Sequence, residues 1–368
     1  MSLMAHQYGA INLSQGFPEF DTPGFLKAAI NQAISDGKNQ YCPSSGLPDL
    51  LHEIGQLVQR CYIKDESRRL DALNTITITS GATEALMVAI QTLVRPGDEV
   101  IVFDPAYDAY EPAVEFAGGS CHHIAMNAPD YAIDWSLVKQ AIKDKTRAII
   151  INSPHNPTGT LLRNNDLEAL QQLVLEHGLY VISDEVYEHM TFDGESHESV
   201  LAYPELFERA FVISSFGKTF HCTGWKMGYC VAPEELTVEF RKIHQYVTFC
   251  SFTPAQFAIT EMLKVHPKHI DELSAFYEQK RDVLVNALQS SRFKILPSKG
   301  TYFLLLDYSE ISDLNDVEFC HWLTQEIGVA AIPLSPFYQA ENLSKVVRVC
   351  FAKNEDTLLQ AAKILCQL

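Results

Sequence analysis

Basic residues are the scarce charge in this chain. Only 28 Lys and Arg stand against 46 Asp and Glu, a formal net charge of −18 over 368 residues. A nucleic-acid groove or an anionic membrane surface needs clustered Lys and Arg, and here they are scattered, so neither is expected as a partner. No uncharged apolar stretch approaches the roughly 18 residues of a membrane span. The N-terminus MSLMAHQ has no basic-then-apolar signal pattern, and Met1–Leu3 read as an appended scar. None of the nine cysteines forms a C-x-x-C pair, and several sit in apolar runs, such as Cys350 in VVRVCF and Cys230 in MGYCVA. That is the usage of free buried thiols in a reducing cytoplasm. No G-x-G-x-x-G follows a strand pattern, which sets aside a dinucleotide dehydrogenase. The His122-His123 pair has no companion acidic or Cys cluster, so no metal site is expected.

What is present is ordinary globular composition, 47% hydrophobic and 20% charged. A chain of this size should expose about 15,000 Å² when folded, enough for one large core or two modest ones. Short β-rich runs alternate with helical patterns. TITITS (75–80), EVIVFD (99–104), RAIIIN (147–152), LYVISD (179–184) and AFVISS (210–215) each end in small or polar residues, with stretches such as NDLEALQQLVLEHG between some of them. This βαβ rhythm predicts an α/β fold with a mainly parallel sheet covered by helices on both faces. Ligands bind such sheets beyond the carboxyl ends of the strands. After Thr253-Pro254 the texture changes to a long helix, then TYFLLLDY, GVAAIPLS and KVVRVCFA, which reads as a smaller α+β domain. The expected division is a large domain over 39–253 and a discontinuous small one from 1–38 and 254–368.

Five motifs carry chemistry. Ser80-Gly81-Ala82-Thr83 joins a strand to a helix start, where free N–H groups suit a phosphate, although an ordinary βα turn reads the same way. Asn152 to Gly159, NSPHNPTG, is a Pro-stiffened loop that either presents the Asn156 amide to a ligand or is a structural turn. Asp184, ending a buried strand, needs a cation or a protonated nitrogen unless solvent or Mg²⁺ serves it. Lys218 and Lys226 lie among Gly, Ser and aromatic residues in SSFGKTFHCTGWKMG, a setting for amine chemistry or merely for two surface lysines. Arg348, inside a β-branched run, needs a carboxylate from a ligand or from an internal partner.

Together these are the contacts that pyridoxal phosphate requires. The motifs NLSQGFPEF, NQY, SGATEAL, DPAYDAY, NSPHNPTG, SDEVYE, SSFGKTFHCTGWKMGY, GTYFLL, AAIPLSPFY and RVCFAK resemble the class I, fold-type I pyridoxal-phosphate-dependent aminotransferases from about Ile11 to the C-terminus. The likeness is strongest to the kynurenine aminotransferase/glutamine transaminase K branch and, within it, to bacterial methionine aminotransferases. The resemblance implies that Lys218 bonds the cofactor aldehyde and then serves as general base, and that Asp184 keeps the pyridine nitrogen protonated. By the same likeness Tyr187 and Asn156 face the 3′-oxygen, and Tyr107 stacks on the ring. Gly81, Ala82, Ser215 and Lys226 hold the phosphate, with Lys226 where aspartate aminotransferases carry Arg. Tyr41 reaches the phosphate of the neighbouring subunit in a homodimer with shared active sites, and Gly16, Asn156 and Arg348 take the substrate carboxylate.

The implied activity is ping-pong transamination, through pyridoxamine phosphate, between a neutral, aromatic or sulfur-containing amino acid and a 2-oxo acid, in the cytoplasm. The methionine, glutamine, phenylalanine, tyrosine and kynurenine class is favoured because the candidate pocket residues Phe17, Tyr41, Tyr107, Phe249, Phe252, Phe337 and Tyr338 are apolar or amphipathic. A cysteine-S-conjugate or cystathionine β-lyase on the same cofactor site is the alternative. The family usually carries a further N-terminal segment that crosses to the partner, and starting just before AINLSQGFP should weaken substrate closure more than dimerisation. Pro336 stands in SPFY where relatives often have an aliphatic residue.

Overall fold

The structure is a computed structural model that describes residues 1–65 and 67–368. Seven strands form the large sheet: β1 (Ile76–Thr79), β2 (Glu99–Asp104), β3 (Ser120–Ala125), β4 (Thr146–Asn152), β5 (Tyr180–Asp184), β6 (Ala210–Ser215) and β7 (Gly228–Val231). Their order is β1-β7-β6-β5-β4-β2-β3. Strands β6, β5, β4, β2 and β3 run parallel, whereas β7 is antiparallel to both β6 and β1. The expected α/β fold with a mainly parallel sheet therefore holds, with one reversed strand. Successive side chains of a strand point to opposite faces. Ile149, Ile151, Val181 and Val212 accordingly enter one core with helices Pro48–Cys61 and Asn164–His177. Ala148, Ile150, Ile182 and Ile213 enter the other, against helix Gly81–Leu93. Exposed area is 15,498 Å², matching the size scaling.

A third core fills the smaller unit. Its antiparallel sheet runs Ile332–Pro333, Val346–Cys350, Phe303–Asp307, Lys294–Ile295. Arg348 pairs with Leu305 on one side and Ile332 on the other. Helices Lys268–Ala287 and Glu355–Leu365 contribute Tyr277, Leu284, Leu358 and Ala361 to this core, and Ile11–Asn12 pairs in parallel with Val329–Ala330. Helices Gly24–Ser35 and Thr253–Val265, near the expected domain boundaries, send Leu26, Ala255 and Ile259 into a core of the large sheet. Among the described residues no helix is long and apolar enough to cross a membrane.

Candidate active site

The carboxyl ends of β1, β4, β5 and β6 lie on one edge of the sheet. Because β7 is reversed, its first residue lies there too, with Gly228 opposite both Ser215 and Thr79. Beyond that edge is a cleft of about 270 Å³.

One end of the cleft is built for an anion. Gly81 turns from β1 into its helix at φ +77°, which glycine adopts without strain. N–H groups in the first turn of a helix have no partner within it, and Gly81, Ala82 and Thr83 line the cleft. The Ser80 N–H is not among the free donors, since the Glu84 carboxylate accepts it. The Lys226 ammonium lies against the turn, 3.2 Å from where a Cβ on Gly81 would stand. Ser215, at the end of β6, lines the same wall. A Cβ at Gly228 would meet Ser214 O at 2.8 Å and Ala82 N at 2.9 Å, so strand and turn approach this closely only over a hydrogen atom.

The other end gathers an amine, a carboxylate and a guanidinium. Lys218, in the single turn Phe216–Thr219 that follows β6, donates to the Tyr302 hydroxyl at 2.7 Å and to Gly16 O at 3.4 Å. Tyr302 donates in turn to Gly16 O at 2.5 Å. Burial pulls the Lys218 ammonium down to about 8. Asp184 is fully buried, and burial pushes its carboxyl up to about 6 although it accepts from the Tyr110 hydroxyl at 2.6 Å. Burial likewise raises the Tyr187 phenol. The Asn156 Oδ1 accepts from Arg348 Nη1 at 2.8 Å, and Asn152 braces the loop by accepting from Asn156 N and donating to Asp184 O. Arg348 is only 8% exposed and lies 4.0 Å over the Phe303 ring, and its Nε has no partner. An unpartnered buried donor on a guanidinium is costly, so this group is poised for an incoming acceptor.

Gly16, Gly81, Ala82, Tyr107, Asn156, Asp184, Tyr187, Ser215, Lys218, Lys226 and Arg348 all line this cleft. Tyr41 does not. It is 81% exposed, edge-on to Phe249 at 5.1 Å. Sequence reasoning missed Tyr110, Tyr302 and Asn152, although DPAYDAY, GTYFLL and NSPHNPTG contain them. Among the described residues no three His, Cys, Asp or Glu side chains gather as for a metal. His123 instead pairs with Asp104 at 2.7 Å and lies 3.4 Å from Glu111.

A family model described as aminotransferase class I and II matches residues 8–365. The chain belongs to that family. It is an enzyme that moves amino groups between amino acids and 2-oxo acids, and the family implies pyridoxal phosphate as its cofactor. This aminotransferase is 52% identical to the methionine aminotransferase of Escherichia coli over all of its own length and 94% of the relative's. It is 35% identical to the kynurenine–oxoglutarate transaminase of Dictyostelium discoideum, covering 100% of this chain and 92% of that one. The crystal structure of an Escherichia coli protein with methionine aminotransferase function superposes with a TM-score of 0.97, covering all of this chain and 95% of that one at 52% identity. An aspartate aminotransferase variant from Thermus thermophilus gives 0.89 at 30% identity, over 100% of this chain and 94% of that one. The cleft of this aminotransferase fits the cofactor by its donor set. Backbone N–H groups, a hydroxyl and an ammonium stand at one end, with a buried carboxylate and an amine at the other.

Proposed function

We propose that this aminotransferase takes methionine and other neutral or aromatic amino acids as donors, with a 2-oxo acid as acceptor, on pyridoxal phosphate bonded to Lys218. The carrying observation is the meeting in one cleft of the buried Lys218 amine, the buried Asp184 carboxylate and the Arg348 guanidinium with its free Nε. Gly81 and Ala82 N–H, the Ser215 hydroxyl and the Lys226 ammonium would hold the phosphate. Asp184 would hold the pyridine nitrogen, Tyr187 and Asn156 the 3′-oxygen, and Tyr107 would pack on the ring. When bound, the cofactor supplies an electron sink for the pair left at the substrate Cα.

The chain's own groups do the rest. Arg348 receives the α-carboxylate in a planar fork, with Gly16 and Asn156 beside it, and so fixes the direction of the Cα–H bond. Lys218 Nζ, when not bonded to the cofactor, would be the base that takes and holds the proton of the substrate Cα. Its lowered affinity for protons keeps that amine available near neutral pH. Side-chain choice follows the walls. Phe303 and Val186 are apolar, and among the described residues lining the cleft Arg348 alone carries a guanidinium, so a second carboxylate on the substrate finds no such partner. The 52% identity to a methionine aminotransferase supports the same choice.

A homodimer with Tyr41 completing the partner's phosphate site belongs to this reading. Its support is that Tyr41, Tyr246, Phe249 and Phe252 are all exposed in the single chain, with Tyr41 edge-on to Phe249, and exposed apolar area of this kind is typical of an interface. The test is a panel of amino acids offered with one 2-oxo acid. Methionine and the aromatic amino acids should give their oxo acids beyond one equivalent per site only when acceptor is present, and aspartate should give little product. Ammonia and an oxo acid released without acceptor would mark elimination instead.

A further inference from the structure

His244 is outside every motif that drew the site from sequence. It sits in helix Glu234–Val247 and is completely buried. Its Nε2 is 2.8 Å from the carbonyl oxygen of Ser44, which can only accept, so Nε2 carries a hydrogen. Its Nδ1 is 2.6 Å from Glu84 Oε1. A proton must lie in that second contact as well, because a neutral ring with its hydrogen on Nε2 and a bare carboxylate would set lone pair against lone pair. His244 and Glu84 therefore share one proton and together carry no net charge. The other Glu84 oxygen accepts the Ser80 N–H.

Glu84 belongs to the first turn of the helix whose Gly81, Ala82 and Thr83 line the cleft. An unneutralised buried carboxylate there would repel a phosphate at the same turn through a low-dielectric medium. We propose that His244 is a positioning residue for the cofactor phosphate: it neutralises Glu84, so that Glu84 can hold the Ser80 N–H and leave the Gly81–Thr83 donors to an anion without opposing it. By its Nε2 the same ring anchors Ser44, three residues from Tyr41. This rests on the pyridoxal phosphate reading above.

The test uses the full chain loaded with pyridoxal phosphate or with pyridoxal, which forms the same bond to Lys218 but has no phosphate. The readout is the dissociation constant of each, followed by absorbance. In His244→Gln the amide can still donate to Ser44 O, but Glu84 loses its neutralising partner. Pyridoxal phosphate should bind about tenfold to a hundredfold more weakly, with pyridoxal unchanged. Adding Glu84→Gln removes the charge and should return the phosphate preference to within about threefold of the parent. Equal losses for both ligands, no loss, or no recovery in the double variant would overturn the proposal. If His244→Gln alone fails to fold, the double variant must fold and prefer the phosphorylated ligand, and its failure counts against the proposal equally. A parent chain that binds neither ligand would instead overturn the cofactor reading.

Discussion

At the scale of single residues the cleft is a set of groups held away from their ordinary protonation. Burial brings the Lys218 ammonium to about 8 from 10.5. Only the neutral amine can bond the cofactor aldehyde, so the rate of pyridoxal phosphate capture should climb as pH rises towards 8 and level off above it. Stopped-flow absorbance across that range checks this, and a rate still climbing as steeply at pH 10 would show an amine with ordinary basicity. The same shift acts on stability in a fixed direction. A lysine with a depressed native value opposes folding most where it must be charged, below about 8, and the penalty fades as pH rises through 8 towards 10.5. Replacing Asp184 by Ala should lower kcat far more than it raises KM, because the ring then loses its protonating partner and Tyr110 its acceptor. The lost charged hydrogen bond adds about 1.5–3 kcal/mol of instability. Arg348→Lys keeps the charge but loses the fork, so KM for the amino acid should rise about tenfold or more. Asp184 and Arg348 were legible in sequence because a charge in or ending an apolar run needs an explanation wherever it occurs, and Lys218 because it stands among Gly, Ser and aromatic residues rather than other charges. Tyr302 and Tyr110 were not. Tyr302, beside the apolar run FLLL, reads as core, and the partners Lys218 of Tyr302 and Asp184 of Tyr110 lie 84 and 74 positions away.

Among the elements, β7 contributes most that could not be foreseen. GYCV is four residues long, and one of its two partners, β1, comes from the distant segment Ile76–Thr79. SCHHIA, the other strand without an expectation, is the sheet edge, mostly part-exposed, with two histidines in place of β-branched residues. Four of the five anticipated strands showed a continuous apolar run, as expected of strands covered on both faces, whereas TITITS alternates Ile with Thr. Reversal of β7 is what brings Lys226 and Gly228 to the edge where the cleft lies. Beneath that edge Glu188 accepts hydrogen bonds from the hydroxyls of Ser214 on β6, Tyr229 on β7 and Tyr62, and so ties the two strands together. Gly228→Ala inserts a methyl where the nearest backbone atoms stand at 2.8 and 2.9 Å. Backbone cannot swing aside as a side chain can. The strand should separate from Ala82, with about 1–3 kcal/mol lost in stability and a weaker grip on pyridoxal phosphate than on pyridoxal. Thermal melts and the two affinities measure the halves of that expectation separately. Gly224→Ala, with open space around its Cβ, is the matched control.

For the whole molecule, Tyr41 is the residue whose proposed role the single chain leaves unfulfilled. It stands 81% exposed beside Phe249, outside the cleft that the other eleven site residues line. Its role came from family likeness in NQY, since no local pattern in one chain encodes what a second chain supplies. Phe249 itself holds φ +71°, a conformation a bulky side chain rarely takes unless its surroundings enforce it. A partner surface packed on Tyr41, Tyr246, Phe249 and Phe252 would provide such surroundings and remove their apolar area from water. The consequence can be tested with two crippled chains. Lys218→Ala lacks the amine and Tyr41→Ala lacks the borrowed phenol, so each homodimer has two damaged sites. In a hybrid dimer, the site built on the Tyr41→Ala chain keeps its own Lys218 and receives an intact Tyr41 from its partner, while the other site carries both lesions. With free exchange about half of the dimers are hybrid and one site in two is whole, so activity should return to about a quarter of the parent's. Exchange can be followed independently with differently tagged chains. Complete exchange without recovery, or full parental activity from a species with the light-scattering mass of one chain, would show that each active site is assembled from a single subunit.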